Sequence, residues 1–250
     1  MDFSTIIGLA TVAFLAGFFD AIAGGGGLIT LPALLLTGMD PVIAIGTNKF
    51  QAAAATVSAA ITFARKRLVE WKEVKWLIPL AMAGGMAGAL FVSWVDKRWL
   101  EAAVPVLLIG VAVYFLFTPA MRETAGKARL SIVAFSLTAA PLLGFYDGIF
   151  GPGVGSFFMI GWILLCGLSM MRAISFTKVG NAACNIGALS VFMVKGVVVW
   201  PLAITMAIAA FAGAQLGARC AVRVGPRLIR PMIVLVCCAL AIKLLSMSYQ

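Results

Sequence analysis

The chain has 250 residues, of which 63% are hydrophobic and 11% are charged, and its mean hydropathy is +1.09. A soluble domain of this length needs far more polar surface, so the composition excludes one and indicates an integral membrane protein. The net charge of +10 does not point to nucleic acid binding, because the basic residues lie in short segments between apolar runs, which is the pattern of cytoplasmic loops.

Apolar segments long enough to cross a bilayer, which takes about 20 residues, recur along the chain. Such segments are predicted at 4–23, 42–64, 76–95 and 101–118, and then at 130–150, 172–194, 200–218 and 229–247. Two shorter apolar stretches, 27–37 and 154–167, each follow a glycine-rich break. At a rise of about 1.5 Å per residue the first of them crosses only about half of a bilayer. We therefore predict an all-α membrane protein with about eight full transmembrane helices and two half-helices.

The first and fifth of these segments end in the same motif. GFFDAIAGGGG at Gly17–Gly27 returns as GFYDGIFGPGV at Gly144–Val154, and Asp20 matches Asp147. After a short insertion in the second copy the match continues, and it pairs Lys49 with Lys178 and Trp71 with Trp200. An internal repeat whose two halves each interrupt a hydrophobic segment is a pointer to the binding site of a transporter.

Three loops rich in lysine and arginine set the predicted orientation. The loop at 65–75 carries five basic residues, the loop at 119–129 three, and the loop at 219–230 four. Because such residues favour the cytoplasmic side, we place these loops there and both termini outside. The two repeats then begin on opposite sides of the membrane. We predict two inverted repeats, 1–118 and 130–250, joined by the cytoplasmic loop 119–129.

Four charged residues are predicted at membrane depth, namely Asp20, Lys49, Asp147 and Lys178. A charge there costs about 2.5–3.5 kcal/mol on insertion scales, so it usually faces a polar cavity or a partner. The aspartates could cap the helix breaks by accepting backbone N–H bonds, with lysine as counter-ion, or one could take up a coupling proton. The lysines could contact a substrate or give the site a positive potential. The sequence leaves these alternatives open.

The glycine clusters at Gly24–Gly27 and Gly151–Gly155 also have two interpretations. Small residues let helices pack closely in lipid. Alternatively, the glycines break the helix, so that the next half-helix points its positive N-terminal end into a cavity. With the lysines and nearby amide and hydroxyl groups, this second interpretation predicts a site for an anion. The candidate binding residues are Gly24, Gly26, Thr47, Asn48, Lys49, Gly151, Gly153, Thr177, Lys178, Asn181 and Asn185.

No metal or other cofactor is predicted. The chain has no histidine, and its five cysteines lack the spacing of metal ligands. The glycine pattern also lacks the preceding strand and the following Lys-Ser or Lys-Thr of a nucleotide site. The expected partners are the lipid bilayer, a small anion, and protons or another coupling ion. Glycine-lined helix faces, such as that of Gly84 and Gly88, permit a homodimer.

The duplicated motif G-F-[FY]-D-x-I-x-G-x-G, together with AIGTNKF at Ala44–Phe50 and ISFTKVGN at Ile174–Asn181, resembles the TauE/SafE family. The resemblance covers nearly the whole chain. That family is associated with export of sulfite, organosulfonates such as sulfoacetate, or other small organic anions across the bacterial inner membrane. The resemblance implies an all-helical carrier of two repeats. By position it points to Asp20, Gly24, Gly26, Asn48 and Lys49, and to Asp147, Gly151, Gly153, Thr177, Lys178 and Asn181.

The sequence therefore predicts a secondary transporter, and not an enzyme, in the bacterial cytoplasmic membrane. It would export a small anion, foremost sulfite or an organosulfonate, by alternating access at a site between two inverted repeats. A passive anion channel could use the same residues. An intramembrane enzyme acting on lipid is a weaker alternative, because the chain lacks histidine and metal-ligand clusters. A membrane partner of another complex is a further alternative.

Overall fold

The computed structural model describes residues 2–96, 99 and 126–224, and all regular elements in this part of the chain are α-helices. The prediction of an all-α chain is thus confirmed for these residues. The predicted segments 101–118 and 229–247, and most of the loop 119–129, lie outside them. The helices are α1 Phe3–Ala23, α2 Gly26–Leu35, α3 Pro41–Arg65, α4 Trp71–Val74, α5 Leu77–Val92, α6 Ile132–Ile149, α7 Val154–Leu164, α8 Met170–Val194 and α9 Trp200–Val224.

Four stretches among the described residues are long and apolar enough to cross a membrane. They correspond to the predicted segments 4–23, 76–95, 130–150 and 200–218, and they are Phe3–Ile22, Trp71–Val92, Ile132–Ile149 and Trp200–Arg223. The helices α2 and α7 are apolar but short, with 10 and 11 residues, as predicted for the half-helices. The helices α3 and α8 have 25 residues each and carry most of the buried polar residues of the described chain.

The helices pack in pairs that join the two halves of the chain. In one pair α1 lies against α9, and in the other α5 lies against α6. Glycines make the close approach possible, because Gly213 and Gly217 touch the backbone carbonyls of Phe14 and Phe18. Both glycines therefore serve helix packing within the chain. A side chain in their place would collide with the neighbouring helix backbone.

The helices α3 and α8 contact each other between these two pairs, α3 also packing on α9 and α8 on α5. Exchanging the first half for the second reproduces this contact pattern, because α1, α2, α3 and α5 then correspond to α6, α7, α8 and α9. Such a pattern is what an internal repeat requires. The opposite orientation of the two repeats in the membrane stays a prediction.

Candidate functional site

The two glycine-rich breaks meet at the centre of the molecule. Gly24 has a φ angle of 74°, and a Cβ atom placed on it would lie 2.7 Å from the carbonyl carbon of Gly155. Ser156 Oγ donates a hydrogen bond of 3.3 Å to the carbonyl of Gly24. Both the positive φ angle and the contact distance demand glycine at this position. The two half-helices therefore start side by side.

Asp20 is the last charged group of α1 before the first break. Its Oδ1 accepts hydrogen bonds from the backbone N–H groups of Gly25 and Gly26, each of 3.0 Å. Its Oδ2 accepts a third, of 2.9 Å, from Lys178 Nζ. Asp20 thus caps the N-terminus of the half-helix α2 and has a lysine counter-ion from the other half of the chain. These are the contacts of the capping alternative.

Asp147 holds the corresponding place at the end of α6, but its contacts differ. Lys49 Nζ lies 2.9 Å from Asp147 Oδ1, and the two side chains are 1% and 2% exposed. Asp147 Oδ2 is buried and has no hydrogen-bond partner among the described residues. The second break is held by Tyr146, whose hydroxyl donates a 2.7 Å hydrogen bond to the carbonyl of Pro152. Only one of the two carboxylate oxygens of Asp147 therefore has a polar partner among the described residues.

The two ion pairs cross between the halves of the chain. Lys49 of the first half pairs with Asp147 of the second, and Lys178 of the second pairs with Asp20 of the first. The four formal charges sum to zero. Buried ion pairs pay a desolvation penalty that their attraction often does not exceed. Their presence at the centre of the molecule is therefore weak evidence for a stabilising role and agrees better with a functional one.

A cavity of about 30 Å³ lies beside these pairs and is lined by both halves of the chain. Most of the residues that the sequence predicted for the site border it. They are Asp20, Gly26, Asn48, Lys49, Asp147, Gly151, Gly153, Asn181 and Asn185. The sequence pattern thus brings residues from six helices and two breaks to one place.

Four predicted residues do not border this cavity. Gly24 lies where the breaks cross, and Lys178 is held by Asp20. Thr47 Oγ1 accepts a 3.2 Å hydrogen bond from the backbone N–H of Val199. Thr177 is buried, and its hydroxyl has no hydrogen-bond partner in the described part of the chain. A binding role for these four stays a prediction.

Sequence reasoning missed a group of polar residues on α2 and α3. Gln51 Nε2 donates to Asn48 Oδ1 at 3.0 Å and to Thr30 Oγ1 at 3.2 Å. Thr30 Oγ1 lies 2.6 Å from Asn48 Oδ1. Gln51 lines the cavity, and its Oε1 is buried without a hydrogen-bond partner in the described region. Its position three residues after Asn48, on the same helix face, was an available signal.

A multi-helical chain whose helices break at a central, charged cavity has the features of a membrane transporter. This chain belongs to the TauE/SafE family, since the family model described as Sulfite exporter TauE/SafE matches residues 9–244. The resemblance drawn from the repeated motif is confirmed, and the protein is a multi-pass membrane transporter.

Several curated relatives are named probable membrane transporter proteins. The chain is 43% identical to the probable membrane transporter protein ORF9 of Sinorhizobium sp, over 98% of this chain and 94% of that one. It is 42% identical to the probable membrane transporter protein YfcA of Escherichia coli strain K12, over 95% and 88% of the two chains. The probable membrane transporter protein YdhB of Bacillus subtilis is 22% identical over 86% and 88%. No solved structure matches the chain significantly.

Proposed function

We propose that the protein is a secondary transporter that exports a small anion, sulfite or an organosulfonate, across the bacterial cytoplasmic membrane. The anion would bind between two inverted repeats and be released by alternating access. The observation that carries this proposal is the central cavity, which both halves line and beside which the two ion pairs cross. Inverted-repeat transporters place their substrate site at such a junction of broken helices.

Several groups around the cavity suit an anion. The ammonium group of Lys49 and the amides of Asn48, Asn181 and Asn185 are hydrogen-bond donors on its wall. The start of α7 also borders it, through Gly153 and neighbouring residues. A helix of this length has a positive N-terminal end that favours negative charge. The corresponding end of α2 is less available, because Asp20 accepts the hydrogen bonds of its first N–H groups.

The small size of the cavity supports a compact substrate. A volume of about 30 Å³ leaves room for only a few atoms, so a bulky organic solute would require the cavity to widen. Because the four charges of the ion pairs cancel, affinity would come from directed donors more than from net charge. A bound anion would compete with Asp147 for Lys49, and this competition would link binding to the contact between the halves.

Counterflow in proteoliposomes tests the proposal. Purified protein is reconstituted, the vesicles are loaded with unlabelled sulfite, and entry of radiolabelled sulfite is followed, with sulfoacetate as competitor. A carrier gives saturable entry that internal sulfite accelerates. Entry that neither saturates nor responds to internal sulfite would instead identify a channel. Recovery of chemically unchanged sulfite distinguishes transport from an enzymatic reaction, and absence of any entry above protein-free vesicles would contradict the substrate.

A further inference from the structure

The two aspartates of the site occupy matching places in the repeat but differ in what their oxygens contact. Both oxygens of Asp20 accept hydrogen bonds, Oδ1 from two backbone N–H groups and Oδ2 from Lys178. Asp147 has Lys49 at Oδ1, whereas Oδ2 is buried without a hydrogen-bond partner among the described residues. An unsatisfied buried oxygen of this kind costs free energy and requires an explanation.

We propose that Asp147, and not Asp20, accepts the coupling proton, on Oδ2, and that the proton and the anion occupy the cavity together. The inference rests on the proposed function as an anion carrier. A proton on Asp147 Oδ2 turns an acceptor without a donor into an O–H donor that borders the cavity. A proton on Asp20 would have to displace Lys178 or a backbone N–H group. Protonation of Asp147 therefore disrupts fewer hydrogen bonds than protonation of Asp20.

The charges of the site explain why proton and anion would bind together. Protonation converts the carboxylate of Asp147 into a neutral carboxylic acid and breaks no covalent bond. Lys49 then keeps its positive charge but loses the negative charge that balanced it. An anion in the cavity restores the balance, so each of the two ligands raises the affinity for the other by the same factor. A doubly charged anion with one proton would still be driven outward by an inside-negative membrane potential.

The surroundings of Asp147 contain few groups that compete for this proton. Lys49 on α3 and Asp20 on α1 interact with it electrostatically, and Asp20 is itself paired with Lys178. Among the described residues, Cys184 on α8 and Tyr146 on its own helix are the remaining titratable groups that interact with it. A thiol and a phenol ordinarily lose their protons at higher pH than a carboxylic acid. The carboxylate is therefore the natural acceptor near neutral pH.

The other helices packed on α6 within the described ranges add no titratable group at this depth. The sequences of α5 and α7 contain none. The charged residues of α4 precede α5 in the chain, and it is the later part of α5, at Gly88, that lies against Phe145 and Gly148. The charged residues of α4 therefore lie toward the start of α6, whereas Asp147 lies near its end.

The test combines two transport assays on the same proteoliposomes. Counterflow of radiolabelled sulfite at equal pH on both sides needs binding and alternating access but no net proton movement. Accumulation of sulfoacetate, whose charge does not change near neutral pH, is measured with the outside one pH unit more acidic and the membrane potential clamped at zero. It needs proton coupling and reaches about tenfold at one proton per anion. We expect both in the unmodified protein. In Asp147→Asn, which resembles the protonated carboxyl group, we expect counterflow to slow, because this residue lines the site, yet to remain measurable, and the accumulation ratio to fall to about one.

The outcomes separate the inference from the proposed function. Accumulation by Asp147→Asn equal to that of the unmodified protein overturns the inference, whereas absence of counterflow in the unmodified protein overturns the proposed function. Asp20→Asn is the matched variant and serves where Asp147→Asn does not fold. It should still accumulate sulfoacetate under the gradient, and on acidification its infrared difference spectrum should keep the carboxylic acid band that Asp147→Asn lacks. Counterflow without accumulation in Asp20→Asn, or loss of that band, contradicts the assignment to Asp147.

Discussion

Lys178 on α8 donates a 2.9 Å hydrogen bond to Asp20 at the end of α1, and this bond joins the second half of the chain to the first. The lysine is 1% exposed. Because the aspartate also caps α2, one carboxylate fixes the shape of the break and compensates a buried charge. Removing either residue therefore disturbs the charge balance, and removing Asp20 also disturbs the break, so each variant needs a matched control.

Replacing both Lys49 and Asp147 should lower the free energy of unfolding less than replacing Lys49 alone. Lys49→Met leaves Asp147 buried without its counter-ion, and we expect a loss of about 3–5 kcal/mol in the free energy of unfolding. Lys49→Met combined with Asp147→Asn should recover most of this loss and still lack sulfite counterflow. Denaturant unfolding in detergent and the proteoliposome assay measure the two effects. A double variant as unstable as Lys49→Met would mean that the pair is not coupled.

The contribution of Asp20 as a helix cap can be measured separately from the contribution of its negative charge. Asp20→Asn keeps a side-chain acceptor for the N–H groups of Gly25 and Gly26, whereas Asp20→Ala removes it. We expect Asp20→Ala to be less stable than Asp20→Asn by about 1 kcal/mol, the usual value of an N-cap. Thermal unfolding of the two purified variants under the same conditions gives the difference. Equal stability would show that only the charge of Asp20 matters.

Contact between the two breaks should make Gly155 intolerant of even one methyl group. Its Cβ would lie 2.8 Å from Asn181 Nδ2 and 2.9 Å from Gly24 Cα, so Gly155→Ala should lose about 1–3 kcal/mol through overpacking. Gly8 is the control, because a Cβ there has no neighbour within 4 Å. Gly8→Ala should gain up to about 1 kcal/mol from helix propensity. Thermal unfolding compares them, and a neutral Gly155→Ala would contradict the described contact.

Binding should be visible as thermal stabilisation. Sulfite at one hundred times its dissociation constant should stabilise the protein by about 2.7 kcal/mol, because it binds only the folded state. The shift should be absent in the double variant of Lys49 and Asp147 and should be smaller for carboxylates of larger volume. A thermal-shift series on purified protein measures it. An equal shift in the double variant would locate binding elsewhere.

Ion pairs at the surface should matter much less than those in the centre. Arg172 on α8 reaches Glu70 and Glu73 near α4, which also links the two halves, but its side chain is 36% exposed. Exposed pairs contribute about 0.2–1 kcal/mol. We expect Arg172→Ala to change stability by less than about 1 kcal/mol and to leave sulfite counterflow intact. A loss of stability comparable to that of Lys49→Met would show that burial does not explain the greater effect of the central ion pairs.

The sequence made the breaks and the half-helices predictable because glycine clusters interrupt apolar runs that are otherwise continuous. It also singled out Asp20, Lys49, Asp147 and Lys178, whose side chains are buried in the structure. The partner of each charge was not predictable, because it depends on how α3 and α8 pack against each other and on which breaks they reach. Sequence spacing carries no information on that contact.

The polar cluster around Gln51 was not predicted, for a different reason. The search for site residues followed the repeat, and in the register that matches Lys49 with Lys178, Gln51 falls opposite Gly180. Because Gln51 has no polar counterpart in the second half, the repeat did not mark it as a candidate site residue. The same register paired Lys49 and Lys178 as equals, although only Lys49 borders the cavity. Duplication located the site, but it did not reveal how the two copies differ.

The crossing of the ion pairs also bears on how the protein is made. Ribosomes complete Asp20 and Lys49 well before Asp147 and Lys178 exist, so the first half enters the membrane with two charges whose partners are still unsynthesised. Neither half can neutralise its own charges with its own lysine and aspartate in the observed arrangement. The observed ion pairs can therefore form only after the second half has been made. Assembly of this protein is completed late in its synthesis.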